Sequence, residues 1–198
     1  MAAPATADHL VPLPAARWIL QTFLGWSAGF VLAIALIICV DGLGIPATQF
    51  PLAVGMGLGV GVLQGRIVAP LFGGARSWVA ATTLGLSLPF VVADVLRLAG
   101  ASLPYSLAVY VALGGVLAGG LQWRLLRALA AGGTAWWPVI TPIGWLLAGS
   151  TVWINELLPR TRGLIGAGRY VAVVLSGGVV LGGAAALAWR LDQPRKRR

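Results

Sequence analysis

One spacing governs this chain: Trp, three residues, Thr, two residues, Gly, three times over. It reads Trp18, Thr22, Gly25, then Trp78, Thr82, Gly85, then Trp137, Thr141, Gly144, with the tryptophans sixty and fifty-nine residues apart. A second phrase runs between them, Gly57-x3-Gly61-x2-Gln64-x-Arg66, echoed as Gly115-x3-Gly119-x2-Gln122-x-Arg124. A fixed period of this length marks copies of one supersecondary unit. Each copy holds two long apolar segments, so the sequence predicts three tandem membrane hairpins.

Composition decides the solvent. The chain is 59% hydrophobic and 10% charged, with a mean hydropathy of +0.90, whereas ordinary soluble domains carry about a quarter charged residues. Six stretches are long and apolar enough to cross hydrocarbon as helix, about Trp18–Val40, Phe50–Leu71, Ser77–Leu96, Tyr105–Trp123, Trp137–Asn155 and Tyr170–Trp189. They are continuously apolar rather than alternating, which selects helices over a barrel. The predicted fold class is all-α integral membrane, six transmembrane helices in a bundle of pseudo-threefold symmetry. A tail over residues 1–16 precedes a single domain over 17–191, with repeats at about 17–76, 77–135 and 136–191. A basic tail over 192–198 follows.

The net charge of +9 is distributed as in a membrane protein, not as in a nucleic-acid binder. Six spans put both termini on one side, and that side holds Arg17, Arg66, Arg76, Arg124, Arg127, Arg190, Arg195, Lys196, Arg197 and Arg198. The other holds Arg97, Arg160, Arg162 and Arg169. This positive-inside bias predicts that both termini are cytoplasmic. Six tryptophans (Trp18, Trp78, Trp123, Trp136, Trp137, Trp189) fall near the same boundary, where amphipathic rings settle. The first residues lack a basic start and an apolar core, so no cleavable signal peptide is expected. Loops are expected to be short except Glu156–Arg169, which Gly163, Gly166 and Gly168 would make flexible.

Residues spaced 0, 4 and 7 share one helix face. Gly57, Gly61 and Gln64 form such a face; Trp78, Thr82 and Gly85 form another on the next helix. Small residues let helices approach closely in lipid, and a Gln can hydrogen-bond across the contact. Each Gln is expected to reach the Thr–Gly notch of the following helix: Gln64 at Thr82 and Gly85, Gln122 at Thr141 and Gly144. In the third unit Gly178 and Gly182 stay but Ala185 replaces the Gln. An alternative alignment sets Trp189-Arg190-Leu191 on Trp123-Arg124-Leu125. In a closed ring, Gln21 is a candidate for the missing amide. Pro89 and Pro142 fall inside spans and can kink them.

Through Gly119-x2-Gln122-Trp123-x2-Leu126-Arg127, followed by Trp137 and Gly144-Trp145, the chain resembles a broad group of small bacterial multi-pass proteins with repeated G-x-x-Q-W-x-x-L-R phrases. The resemblance covers nearly the whole chain, although Gly65 and Ala69 depart from it in the first unit. It implies a fold and a bacterial origin, and nothing catalytic. The Pro-x-Asp/Glu-x-x-Lys/Arg phrase of mitochondrial carriers, another threefold repeat of helix pairs, is absent.

The residues offer little chemistry. The one histidine is His9 and the one cysteine is Cys39. No metal site, haem ligation, nucleophile pair or disulfide within the chain is expected, and no cofactor. Among the acids Asp8, Asp41, Asp94, Glu156 and Asp192, only Asp94 falls within a span. Arg97 lies on the same face, so an interfacial Asp–Arg pair is expected there. A polar pathway through Asp94, Arg97, Gln64 and Gln122 is the alternative. Arg66, Arg124 and Arg127 suit lipid phosphates. The expected function is a non-enzymatic structural or accessory subunit of a membrane assembly. It would associate with lipids, and with other membrane proteins or itself, through its Gly, Gln and Trp faces, and not with nucleic acid. A small transporter or channel through the bundle is the second reading. A lipid-interacting enzyme is a distant third.

Overall fold

The computed structural model describes residues 15–45, 48–72, 74–101, 107–129, 134–157 and 163–192. Its helices are α1 (Ala15–Gly42), α2 (Phe50–Phe72), α3 (Ala75–Leu98), α4 (Leu107–Leu129), α5 (Trp137–Leu157) and α6 (Gly163–Asp192). Backbone groups are bonded within each helix, the arrangement that hydrocarbon demands. Each helix packs on its neighbours in sequence, and α6 returns to α1, closing a ring. Five helices, α1 to α4 and α6, are long and apolar enough to cross a membrane. The sixth, α5, has 21 residues, about 31 Å of helix at 1.5 Å per residue. It contains Pro142 and ends shortly after Asn155 and Glu156.

Two boundaries differ from expectation. The segment expected as a flexible loop before Tyr170 is helix from Gly163 onward, so Gly166 and Gly168 lie inside α6. Apolar Leu164, Ile165, Val171 and Val173 continue the helical run there, which outweighs the modest cost of interior glycine. At the other end α6 extends to Asp192, a residue expected in the tail, because its carboxylate has a partner in the bundle. Arg160, Arg162 and the basic tail from Arg195 lie outside the described residues.

Helices α1 and α3 end alike. Gly44 and Gly100 adopt φ of 75° and 87°. Gly100 N–H donates to Arg97 O and Ala101 N–H to Leu96 O, while Gly44 and Ile45 donate likewise to Asp41 and Val40. A left-handed glycine closing the last carbonyls in this pattern is a Schellman motif, and only glycine takes that φ without strain.

The core has two layers. At the end where odd-numbered helices start, Trp18, Trp78 and Trp137 meet one another edge to face, with centroids 5.6 to 6.1 Å apart. Val68, Leu126, Ala185 and Trp189 pack around them from the even helices. Towards the far end a second cluster contains Trp26, Met56, Phe90, Trp145 and Leu181.

Candidate functional site

The predicted polar residues converge on the tryptophan layer. Trp78 Nε1 donates to Gln64 Oε1 at 3.2 Å, and Gln64 Nε2 donates to Thr22 Oγ1 at 3.1 Å. Trp137 Nε1 donates to Gln122 Oε1 at 3.2 Å, and Gln122 Nε2 donates to Thr82 Oγ1 at 2.8 Å. Each carboxamide thus joins three helices, accepting from one odd helix and donating to another. Thr82 also donates back to Trp78 O at 2.9 Å, which ties the two relays together.

This corrects the expected partner. Each Gln bonds the threonine of the preceding helix, its own hairpin partner, and the following helix supplies the indole. The notches face the same way: a Cβ on Gly25 would meet Val60 of α2, one on Gly85 would meet Ala118 of α4, and one on Gly144 would meet Ala184 of α6. Sequence separation from a turn sets depth but not facing. The Gln-bearing helices are shared between two neighbours, and a carboxamide can serve both because it donates and accepts. The indole N–H is the signal in the sequence that points to this pairing, since a buried Trp ordinarily requires an acceptor.

The glycines of the second phrase pack where expected, on the following helix. A Cβ on Gly57 would meet Thr83, and one on Gly61 would lie 3.2 Å from Thr82 Cβ. One on Gly119 would lie 3.2 Å from Thr141 Cβ, and one on Gly115 would meet Trp145. On α6, Gly182 has the same relation to Thr22, 3.1 Å from its Cβ. That contact selects the alignment in which Ala185 takes the Gln position.

The consequence is a defect in the third seam. Trp18 Nε1 and Thr141 Oγ1, on residues only 2% and 3% exposed, have no hydrogen-bond partner among the described residues. They are the groups that a carboxamide at 185 would have bonded. Gln21 does not replace it, for its own Oε1 is buried without a partner there. Instead Trp189 stands one turn beyond Ala185, where the other units have Val68 and Leu126. It is buried in the same cluster and packs edge-on to Trp137 at 6.5 Å.

The acids act on helix ends. Asp94 Oδ2 accepts from the backbone N–H of Gln49 at 2.7 Å and of Phe50 at 2.8 Å, capping the start of α2 from α3. Its Oδ1 pairs with Arg97 at 3.4 Å. Asp192 Oδ1 accepts from Trp136 N–H at 3.0 Å and caps α5 in the same manner. A carboxylate suits a helix N-terminus because unpaired N–H groups and the positive end of the dipole meet there. The structure therefore places Asp94 and Arg97 at the far end, while Gln64 and Gln122 sit in the tryptophan layer. Sequence could not show the capping role, because Asp94 and the amides it caps are 44 and 45 residues apart.

Arg66, Arg124 and Arg127 are exposed at the tryptophan end. The Arg127 guanidinium lies 4.8 Å over the Trp123 ring. Among the described residues no group of three or more His, Cys, Asp or Glu side chains is placed to hold a metal.

No known protein family, curated protein or solved structure matches this chain.

Proposed function

We propose that this chain is a non-enzymatic protein of the bacterial cytoplasmic membrane, acting as a structural or accessory subunit of a membrane assembly. In this reading all six helices span the bilayer. Three hairpins are related by a pseudo-threefold axis along the membrane normal, with both termini cytoplasmic. The observation that carries it is where the polarity goes. Gln64, Gln122, Asp94 and Asp192 all bond other helices or the backbone that leads into them, while exposed apolar residues such as Leu84, Leu88 and Val95, or Val139, Leu146 and Trp153, face outward. An outward apolar surface of that extent requires lipid or another protein to cover it. Exposed Arg66, Arg124 and Arg127 at the tryptophan end suit anionic headgroups on the cytoplasmic side.

Purification from native membranes in mild detergent, followed by a native gel and mass spectrometry, tests the proposal. A stoichiometric membrane partner is the expected result. A lone monomer or homo-oligomer overturns the accessory-subunit reading and directs attention to flux assays.

A further inference from the structure

The ring of helices lines a partly open chamber of about 430 Å³ to which every helix contributes. The rings of Trp26 and Trp145, 6.0 Å apart, lie at the side nearest the tryptophan cluster. The Trp26 indole N–H is already bonded to Val174 O at 2.8 Å. The walls continue through apolar side chains such as Leu52, Met56 and Val111, and among the described residues no charged side chain lines them. Tyr170 alone among these lining residues carries a hydroxyl.

Such a space suits neither water nor a polar solute. A stable buried water needs two to four polar partners, and apolar cavities stay dry and take up apolar molecules. An apolar cavity of about 150 Å³ holds one benzene ring. In proportion, this chamber holds about 17 carbon atoms. Its lining on α1 runs from Trp26 to Ile37, about 16 Å along the axis, so the space is elongated. Lining residues Ile34 of α1 and Tyr170 of α6 are each 44% exposed. These two helices are neighbours in the ring without being consecutive in the chain, so no connecting turn bars the seam between them. The first turn of α6 presents Leu164 and Ile165, 92% and 81% exposed.

We propose that the chamber is a binding site for one long hydrocarbon chain, entering from the bilayer between α1 and α6. A phospholipid or a free fatty acid can supply that chain; the chemistry of recognition is the same. The inference rests on the membrane-spanning part of the proposed function and not on the accessory role.

Full-length protein is reconstituted in phosphatidylcholine vesicles containing a trace of phosphatidylcholine with a diazirine in mid-chain. A parallel set contains a diazirine fatty acid. After illumination, adducts are mapped by peptide mass spectrometry. Adducts on inward Leu52, Met56 or Val111 are expected, in addition to those on outward Val139 and Leu146. The probe that labels the inward positions identifies the source of the chain. Leu52→Trp and Val111→Trp, which fill the chamber, are expected to reduce the remaining inward adducts severalfold and leave the outward ones unchanged. Adducts confined to outward positions with both probes overturn the proposal while leaving the membrane reading intact. Unchanged inward labelling in folded, filled variants also overturns it. Absence of labelling at outward positions refutes the membrane reading itself. Should a filled variant fail to fold, the map from the unsubstituted protein still decides.

Discussion

The third seam gives a quantitative test of the packing, because each even helix carries either a Gln with a smaller neighbour or an Ala with a large one. Units one and two pair Gln64 with Val68 and Gln122 with Leu126; unit three pairs Ala185 with Trp189. Trp189 packs in the same cluster as Trp18 and Trp137, and with Ala at 185 Trp18 Nε1 and Thr141 Oγ1 have no partner among the described residues; the test is whether Trp189 takes the room that a carboxamide would need. Ala185→Gln alone adds two interhelical hydrogen bonds, together about 1.5 kcal/mol. Forcing the extra atoms into an already filled core costs about 2.5 kcal/mol, towards the upper end of the usual range for overpacking, so a net loss of about 1 kcal/mol is expected. Trp189→Leu alone removes a buried ring. Full truncation of such a residue costs about 3 to 5 kcal/mol, and the retained Leu carbons lower that to about 2.

In the double variant the Gln occupies the vacated space and meets both orphaned groups. Stability within about 0.5 kcal/mol of the natural protein is expected, against a loss of about 3 if the two changes were independent. The coupling is then about 2.5 kcal/mol, within the range for residues in contact. Reversible unfolding in mixed micelles with increasing SDS, followed by near-ultraviolet circular dichroism, measures all four corners of the cycle. Additivity within about 0.5 kcal/mol would refute the reasoning, since it would mean that Trp189 and residue 185 do not compete for one space.

The remaining predictions address other parts of the bundle. Gln122→Leu leaves Trp137 Nε1 without its acceptor and Thr82 without its donor, and a loss of about 1 to 2 kcal/mol is expected in the same unfolding assay. Asp94→Ala removes the cap on α2; a loss of about 1 to 2 kcal/mol is expected, with faster hydrogen exchange at the Gln49 and Phe50 amides. Gly59→Ala places a methyl group against Gly25 O and the Gly29 backbone, so α1 and α2 must separate, costing about 3 kcal/mol and lowering the yield of folded protein. For topology, with Cys39 replaced by Ala, a cysteine at exposed Leu43 or Ala99 should react with a membrane-impermeant maleimide from outside the cell. A cysteine at Ser77 should react only after the membrane is opened, and the reverse pattern would invert the proposed orientation.

Length, hydropathy and the repeat period were enough to specify a helical protein with several candidate membrane spans, because those properties depend on counting residues along the chain. The Gly57–Gly61 and Gly115–Gly119 contacts were legible for the same reason: small residues at positions 0 and 4 form a groove whatever packs into it. Facing was not legible. Whether Gln64 bonds Thr22 or Thr82 depends on how α2 rotates between two neighbours, and both threonines satisfy the same spacing. Asp94 at the start of α2, Asp192 at the start of α5, and the chamber lined by all six helices exist only once the ring closes. Sequence by itself determined the elements and their repetition, since hydrophobicity and helical periodicity are local. Tertiary structure decided which polar group meets which, because hydrogen bonds between helices depend on rotation and distance that no spacing along one helix records.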